Sequence, residues 1–126
     1  MTEIQTFNEY QSRAVGMRVS LQKFLIQFPN LPEEVIELMG VTYDGLGLGE
    51  AGEVQGKIKK IIRDNGGIIT PEHIEAIKGE LSDILWYISS MCDTLGIKME
   101  DVATYNIKKL KSRRDRGVLH GSGDNR

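Results

Sequence analysis

Two pairs of acids are spaced for chemistry: Glu50 with Glu53, and Glu80 with Asp83, each three residues apart. On a helix at about 100° per residue, the second acid of each pair falls at about −60° from the first. Lys57 lies at about −20° beside the first pair, and Tyr87 at the same angle beside the second. The apolar stripes sit on the same side in both: Ala51, Val54, Ile58 and Ile61 on one helix, Ile77, Ile84, Ile88, Met91 and Leu95 on the other. Both helices thus carry an acid pair in the same relation to a core-facing stripe. Packed antiparallel, they would bring four carboxylates to one core edge. Like charges placed that close repel and are costly to desolvate. A divalent cation removes the conflict, and an all-oxygen ligand set suits Mg²⁺ or Mn²⁺. A di-iron bundle would ask for Glu-x-x-His on two helices, and Glu53 and Asp83 stand where those histidines would be. Either pair alone is common on a solvated helix face; the parallel placement of two is the metal signal.

A third polar stripe is basic. Asn106, Lys109 and Arg113 fall at about 0°, −60° and −20°, with Arg116 at about −80°. An amide and three cations beside a core edge suit phosphate oxygens, with arginine giving a bidentate fork and lysine a point charge. Lys57 and Lys60 either reach a phosphate as well or pair with the carboxylates. The net charge of −2 hides this basic segment: residues 107–116 carry +5 and the remainder −7. A pI near 5.7 and 6% aromatic residues argue against a nucleic-acid partner.

These residues need helices to position them. Apolar periodicity predicts one from about Thr6 to Val19, reaching as far as Phe28, before the break at Pro29–Pro32. A short helical turn from Glu33 to Met39 follows. The second main helix runs from about Gly45 to Arg63, stopped by Asp64-Asn65-Gly66-Gly67. The third starts at Thr70-Pro71, a cap followed by proline in the first turn, and ends at Gly96. The fourth runs from about Met99 to Arg114, with Val102, Ala103, Ile107 and Leu110 expected inward. Val41–Tyr43 and Gly67–Ile69 are short strand candidates. The expected class is all-α, an antiparallel helical bundle. Residues 1–116 form one domain and 117–126 a coil tail.

Gly47-Leu-Gly-Glu-Ala-Gly52 matches G-x-G-x-x-G, but no core strand precedes it and no βαβ unit surrounds it, so a dinucleotide site is not expected. Gly49, Gly52 and Gly56 share one helix face. They allow close approach of a backbone or ligand, or the helix starts later than Gly45. The 126 residues include 1 cysteine and 2 histidines, which excludes an intrachain disulfide framework and any Cys-rich or multi-histidine metal site. No apolar run approaches a membrane span and the opening residues lack a signal-peptide pattern, so a cytoplasmic location is expected.

Gly45-Leu-Gly-Leu-Gly-Glu-Ala-Gly-Glu-Val54, Lys78-Gly-Glu-Leu-Ser-Asp-Ile-Leu-Trp-Tyr87 and Asn106-Ile-Lys-Lys-Leu-Lys-Ser-Arg113 together resemble the MazG-like nucleotide pyrophosphohydrolases. The likeness covers roughly residues 44 to 126 and rests on Glu-x-x-Glu, a spacer, then Glu-x-x-Asp. It implies an all-α bundle working as a homodimer or homotetramer. It implies Mg²⁺-dependent cleavage of a nucleoside triphosphate to monophosphate and diphosphate, dGTP being one candidate. Glu50, Glu53, Glu80 and Asp83 would be the metal ligands, and Asn106, Lys109 and Arg113 the phosphate or sugar contacts. Tyr87, on the metal stripe, would touch sugar. Glu50 or Glu53 would take the proton of the attacking water. Some relatives carry a further glutamate before the first acid, where this chain has Gly49. A phosphoribosyl-ATP pyrophosphohydrolase is the nearest alternative enzyme, and a helical module binding an anionic partner the non-catalytic one. Gln11 could read a base edge. Trp86 suits a subunit interface or a base stack, His73 a solvated helix start, and Cys92 the core.

Overall fold

The computed structural model describes residues 3–17 and 26–126, and these are helical without a strand. The helices are α1 (Phe7–Val15), α2 (Glu33–Gly47), α3 (Ala51–Asn65), α4 (Pro71–Thr94) and α5 (Met99–Asp115), with a 3₁₀ turn at Leu48–Glu50 between α2 and α3.

α4 is the rail on which the rest is laid. Its 24 residues extend about 36 Å. Its first turn is closed by a capping box: the Thr70 hydroxyl accepts from the His73 N–H, and the Thr70 N–H donates to His73 Nδ1. The solvated role expected of His73 is replaced by this capping role. Along α4 the chain from α2 through α3 runs in the opposite direction. Gly45 faces Met91, Gly47 lies on the Tyr87 ring, Lys57 meets Glu80, and the end of α3 shares a cleft with His73 and Ala76. The antiparallel pairing expected of the acid-bearing helices is therefore present. Gly66 and Gly67, both at positive φ, reverse the chain between them.

Four expectations about this run and the turn after it are corrected. The short turn at Glu33–Met39 is the first half of a full helix, and the strand candidate Val41–Tyr43 is its second half. The reason is packing. Ile36, Gly40 and Asp44 are buried at helical spacing, and Gly47 continues their line against α4. That contact overrides the β preference of Val41 and Thr42. The second strand candidate, at Gly67–Ile69, is turn and coil. The helix expected from Gly45 to Arg63 is two helical segments divided at Leu48–Glu50.

α1 packs on both α4 and α5. It ends at Val15, with Gly16 as its cap, so it is shorter than expected; the expected continuation toward Phe28 lies in part outside the described residues. α1 also supplies the cap that α5 lacks. Lys98 gives α5 no side-chain cap. Instead Gln11 accepts from the Met99 N–H at 2.9 Å and donates to the Ile97 carbonyl at 2.8 Å. Asn8 accepts from the Glu100 N–H and donates to the Glu100 carboxylate. The orphan donors of a helix start are satisfied from another helix. Gln11 is thus occupied as a staple, not presented to a base.

Among the described residues the buried apolar set is small: Ala14, Ile36, Ile61, Cys92 and Met99. Cys92 sits in the core as expected. Leu46 and Ile62 are 76% and 64% exposed, and Ile58, Ile74 and Leu81 are open as well. On α5, Val102, Ile107 and Leu110, expected inward, are exposed. α5 rests on α1 and stands off α4 across a cleft of about 280 Å³ lined by Phe7, Leu85, Ile88, Met99, Val102 and Asn106.

Gly47 is the tightest point of the α2–α4 contact, since a Cβ there would run into the Tyr87 ring. Gly47→Ala should destabilise the fold by about 1–3 kcal/mol. Gly79, in mid-α4 with open space where its Cβ would stand, should gain up to about 1 kcal/mol on replacement by alanine. Urea unfolding followed by circular dichroism checks both signs.

Candidate metal centre

Glu50 closes the 3₁₀ turn, and Glu80 and Asp83 project from the middle of α4. One carboxylate oxygen from each lies within 4.8 Å of the others. Octahedral Mg²⁺ at about 2.1 Å spaces its ligand oxygens roughly 3.0–4.2 Å apart. Small side-chain rotations close the gap, so the three acids fit a hard dication. Glu50 and Glu80 are half-buried and Asp83 is exposed, which leaves an open side for water and substrate.

Glu53 does not join this group. It is exposed one turn into α3. Lys57 meets Glu80 of α4 and Ile61 shares a cleft with His73 and Ala76; these two lie about 20° to either side of Glu50 on the wheel, whereas Glu53 is about 60° away. The sequence reading expected all four carboxylates at one edge; the structure brings three of them together and leaves Glu53 out of the group.

Lys57 pairs with a carboxylate in this structure: Nζ is 3.2 Å from Glu80 Oε1, with both side chains partly covered. Its ammonium and a dication would compete for the same oxygens. Tyr87 lies over Gly47, 5.1 Å edge-on from Trp86 and 6.3 Å from Tyr43. Burial pushes the Tyr87 phenol above its ordinary value, with further contributions from Tyr43 and from the charges of Glu50 and Asp83. It therefore stands beside the acids, as its wheel position predicts. Trp86 is half-buried against it.

Two residues of this neighbourhood escaped the sequence reading. Tyr10, half-buried on α1, has its phenol raised first by burial and then by the charge of Asp83, which brings α1 to the edge of the cluster. Its signal was a tyrosine in line with Phe7 and Ala14 at helical spacing. Asp44 is 0% exposed on α2, two 3-residue steps before Glu50. Its signal was an acid in line with Ile36 and Gly40.

The basic stripe on α5 is engaged elsewhere. Asn106 is exposed at the mouth of the α4–α5 cleft. Arg113 is buried, and its Nη2 donates to the Asp124 carbonyl at 2.9 Å and carboxylate at 3.2 Å. Lys109 lies 3.6 Å from the same carboxylate and 5.7 Å from the centre of the Tyr105 ring. The Arg113 guanidinium first, then the Lys109 charge, hold the Asp124 carboxyl below its ordinary value. The tail, expected as coil, is irregular but folds back onto α5.

Comparison with known proteins follows the same residues. The family described as "MazG nucleotide pyrophosphohydrolase domain" matches residues 45–118. That stretch holds all four acids of the motif together with Lys109 and Arg113. The chain is similar to the Gene 37 protein of Mycobacterium phage L5, 47% identical over 88 residues, spanning 69% of this chain and 77% of that protein. No solved structure matches it.

Cation binding tests the cluster without any assumption about the reaction. Glu80→Gln should weaken Mn²⁺ binding at least about tenfold. Lys57→Met should tighten it severalfold by removing a competing charge, an effect of about 1 kcal/mol for a half-exposed pair. Titration followed by Mn²⁺ electron paramagnetic resonance separates the two directions.

Proposed function

This chain belongs to the MazG nucleotide pyrophosphohydrolase domain family, and from that premise we propose that it cleaves (deoxy)nucleoside triphosphates, dGTP among them, to monophosphate and diphosphate with Mg²⁺. The observation that carries the reading is the convergence of Glu50, Glu80 and Asp83 from two antiparallel segments inside the matched region. Their charges would hold the dication. When bound, it neutralises phosphate charge and makes a coordinated water more acidic.

The remaining work belongs to the chain itself. Water adds to one phosphorus of the α–β anhydride, the bridging P–O bond breaks, and monophosphate and diphosphate separate. A carboxylate must take the water's proton. Glu53, exposed and outside the cluster of three, suits this role or would add a fourth oxygen to the cation; Glu50 is the other candidate for the base. Lys109 and Arg113 stabilise charge on the leaving diphosphate, Asn106 contacts phosphate or sugar, and Tyr87 flanks the sugar. Lys57 keeps Glu80 from repelling its neighbours. The apolar surface left open at Leu46, Ile58 and Ile62 supports a homodimer or homotetramer as the working form.

Incubation of the purified protein with each (d)NTP and Mg²⁺, with diphosphate and orthophosphate measured separately, tests the reaction. Diphosphate and monophosphate should appear, and EDTA should abolish them. Glu80→Gln and Asp83→Asn should each lower kcat/KM by about 100-fold or more with helicity retained. No product from any nucleotide, with Mn²⁺ also tried, overturns the reading.

A further inference from the structure

We propose that residues 117–126 form an autoinhibitory strap in which Asp124 occupies a substrate phosphate's place on Arg113 and Lys109, so that a triphosphate must displace it. This rests on the reading of those two cations as phosphate contacts.

The first argument is access. The Arg113 side chain is only 6% exposed while Asp124 bears on it, so no phosphate reaches the guanidinium with the tail docked. The second is incomplete satisfaction. Asp124 accepts from Arg113 Nη2 through both its carbonyl and its carboxylate, yet Arg113 Nε is buried without an acceptor. The Nε–Nη2 edge is the fork that takes two oxygens of a phosphate. The tail fills one prong and leaves the other empty, so a phosphate is the better ligand for the same edge.

The third argument is ease of release. The Asp124 side chain is 86% exposed, so water replaces its contacts when it leaves, and a surface ion pair adds little to hold it. The tail is instead kept together by its own terminus. Arg126 donates to the Gly123 and Leu119 carbonyls, and Arg116 donates to the Arg126 carbonyl at 2.9 Å. Gly117, at φ 72°, starts the fold-back in a conformation that other residues avoid. The strap can swing as a unit about that point.

The test compares the full chain with Asp124→Asn and with a chain ending at Val118. Steady-state dGTP hydrolysis is read together with calorimetric binding of inorganic pyrophosphate. Both variants should show KM and pyrophosphate Kd about two- to fivefold lower, with kcat and melting temperature unchanged. Should the shortened chain fail to fold, Asp124→Asn decides alone. Unchanged or weaker pyrophosphate binding in Asp124→Asn, with normal turnover by the full chain, overturns the strap and leaves the enzymatic reading intact. A lower melting temperature with weaker binding makes the contact a structural clasp and overturns it too. Absence of turnover in the full chain, with tighter pyrophosphate in the variants, removes the enzymatic reading and sustains the strap as a gate on an anion site.

Discussion

Three carboxylates within 4.8 Å repel one another, and the fold has to hold them there. Each pair is unfavourable by up to a few kcal/mol at the effective dielectric of a protein edge, less at exposed Asp83. What opposes this is the run of α2, the 3₁₀ turn and α3 along α4. That run is closest at Gly47, where backbone meets the Tyr87 ring, and it is bridged farther on by Lys57 and Glu80. Glu50 sits between these two points. It is held opposite Glu80 and Asp83 by contacts made on either side of it and by the packing of its own turn on α4.

Much of this was legible in the sequence because helical periodicity is a local property. The boundaries of α4 were marked by Thr70-Pro71 and Gly96, the end of α3 by Asn65-Gly66, and the acids by their angular offset from the apolar stripe. The parts that were not legible depend on a partner element. Val41-Thr42-Tyr43 is helical because Gly40, Asp44 and Gly47 face α4, and nothing within the tripeptide says so. Glu53 looked equivalent to Asp83 because each is three residues after an acid, but their helices present different lines to one another. Gln11 looked free to read a base edge because the helix start it caps lies about 90 residues away in sequence.

The apolar residues tell a similar story at a larger scale. The stripes on α3, α4 and α5 are real as patterns, yet Ile58, Ile62, Ile74, Leu81 and Ile107 are largely uncovered in the single chain. Periodicity shows which residues share a face. It does not show whether that face meets another helix of the same chain. The proposed oligomer supplies a cover for what α1 and α2 leave bare, and Arg113 shows the opposite case, a charged residue that its own tail has enclosed.

The capping box at the start of α4 has a protonic consequence. The Thr70 N–H donates to His73 Nδ1, so that nitrogen must keep its lone pair and the ring proton must sit on Nε2. The first turn of the helix that carries Glu80 and Asp83 is therefore written for one tautomer of one ring. His73 also lines the cleft shared with Lys57, Lys60 and Asp64.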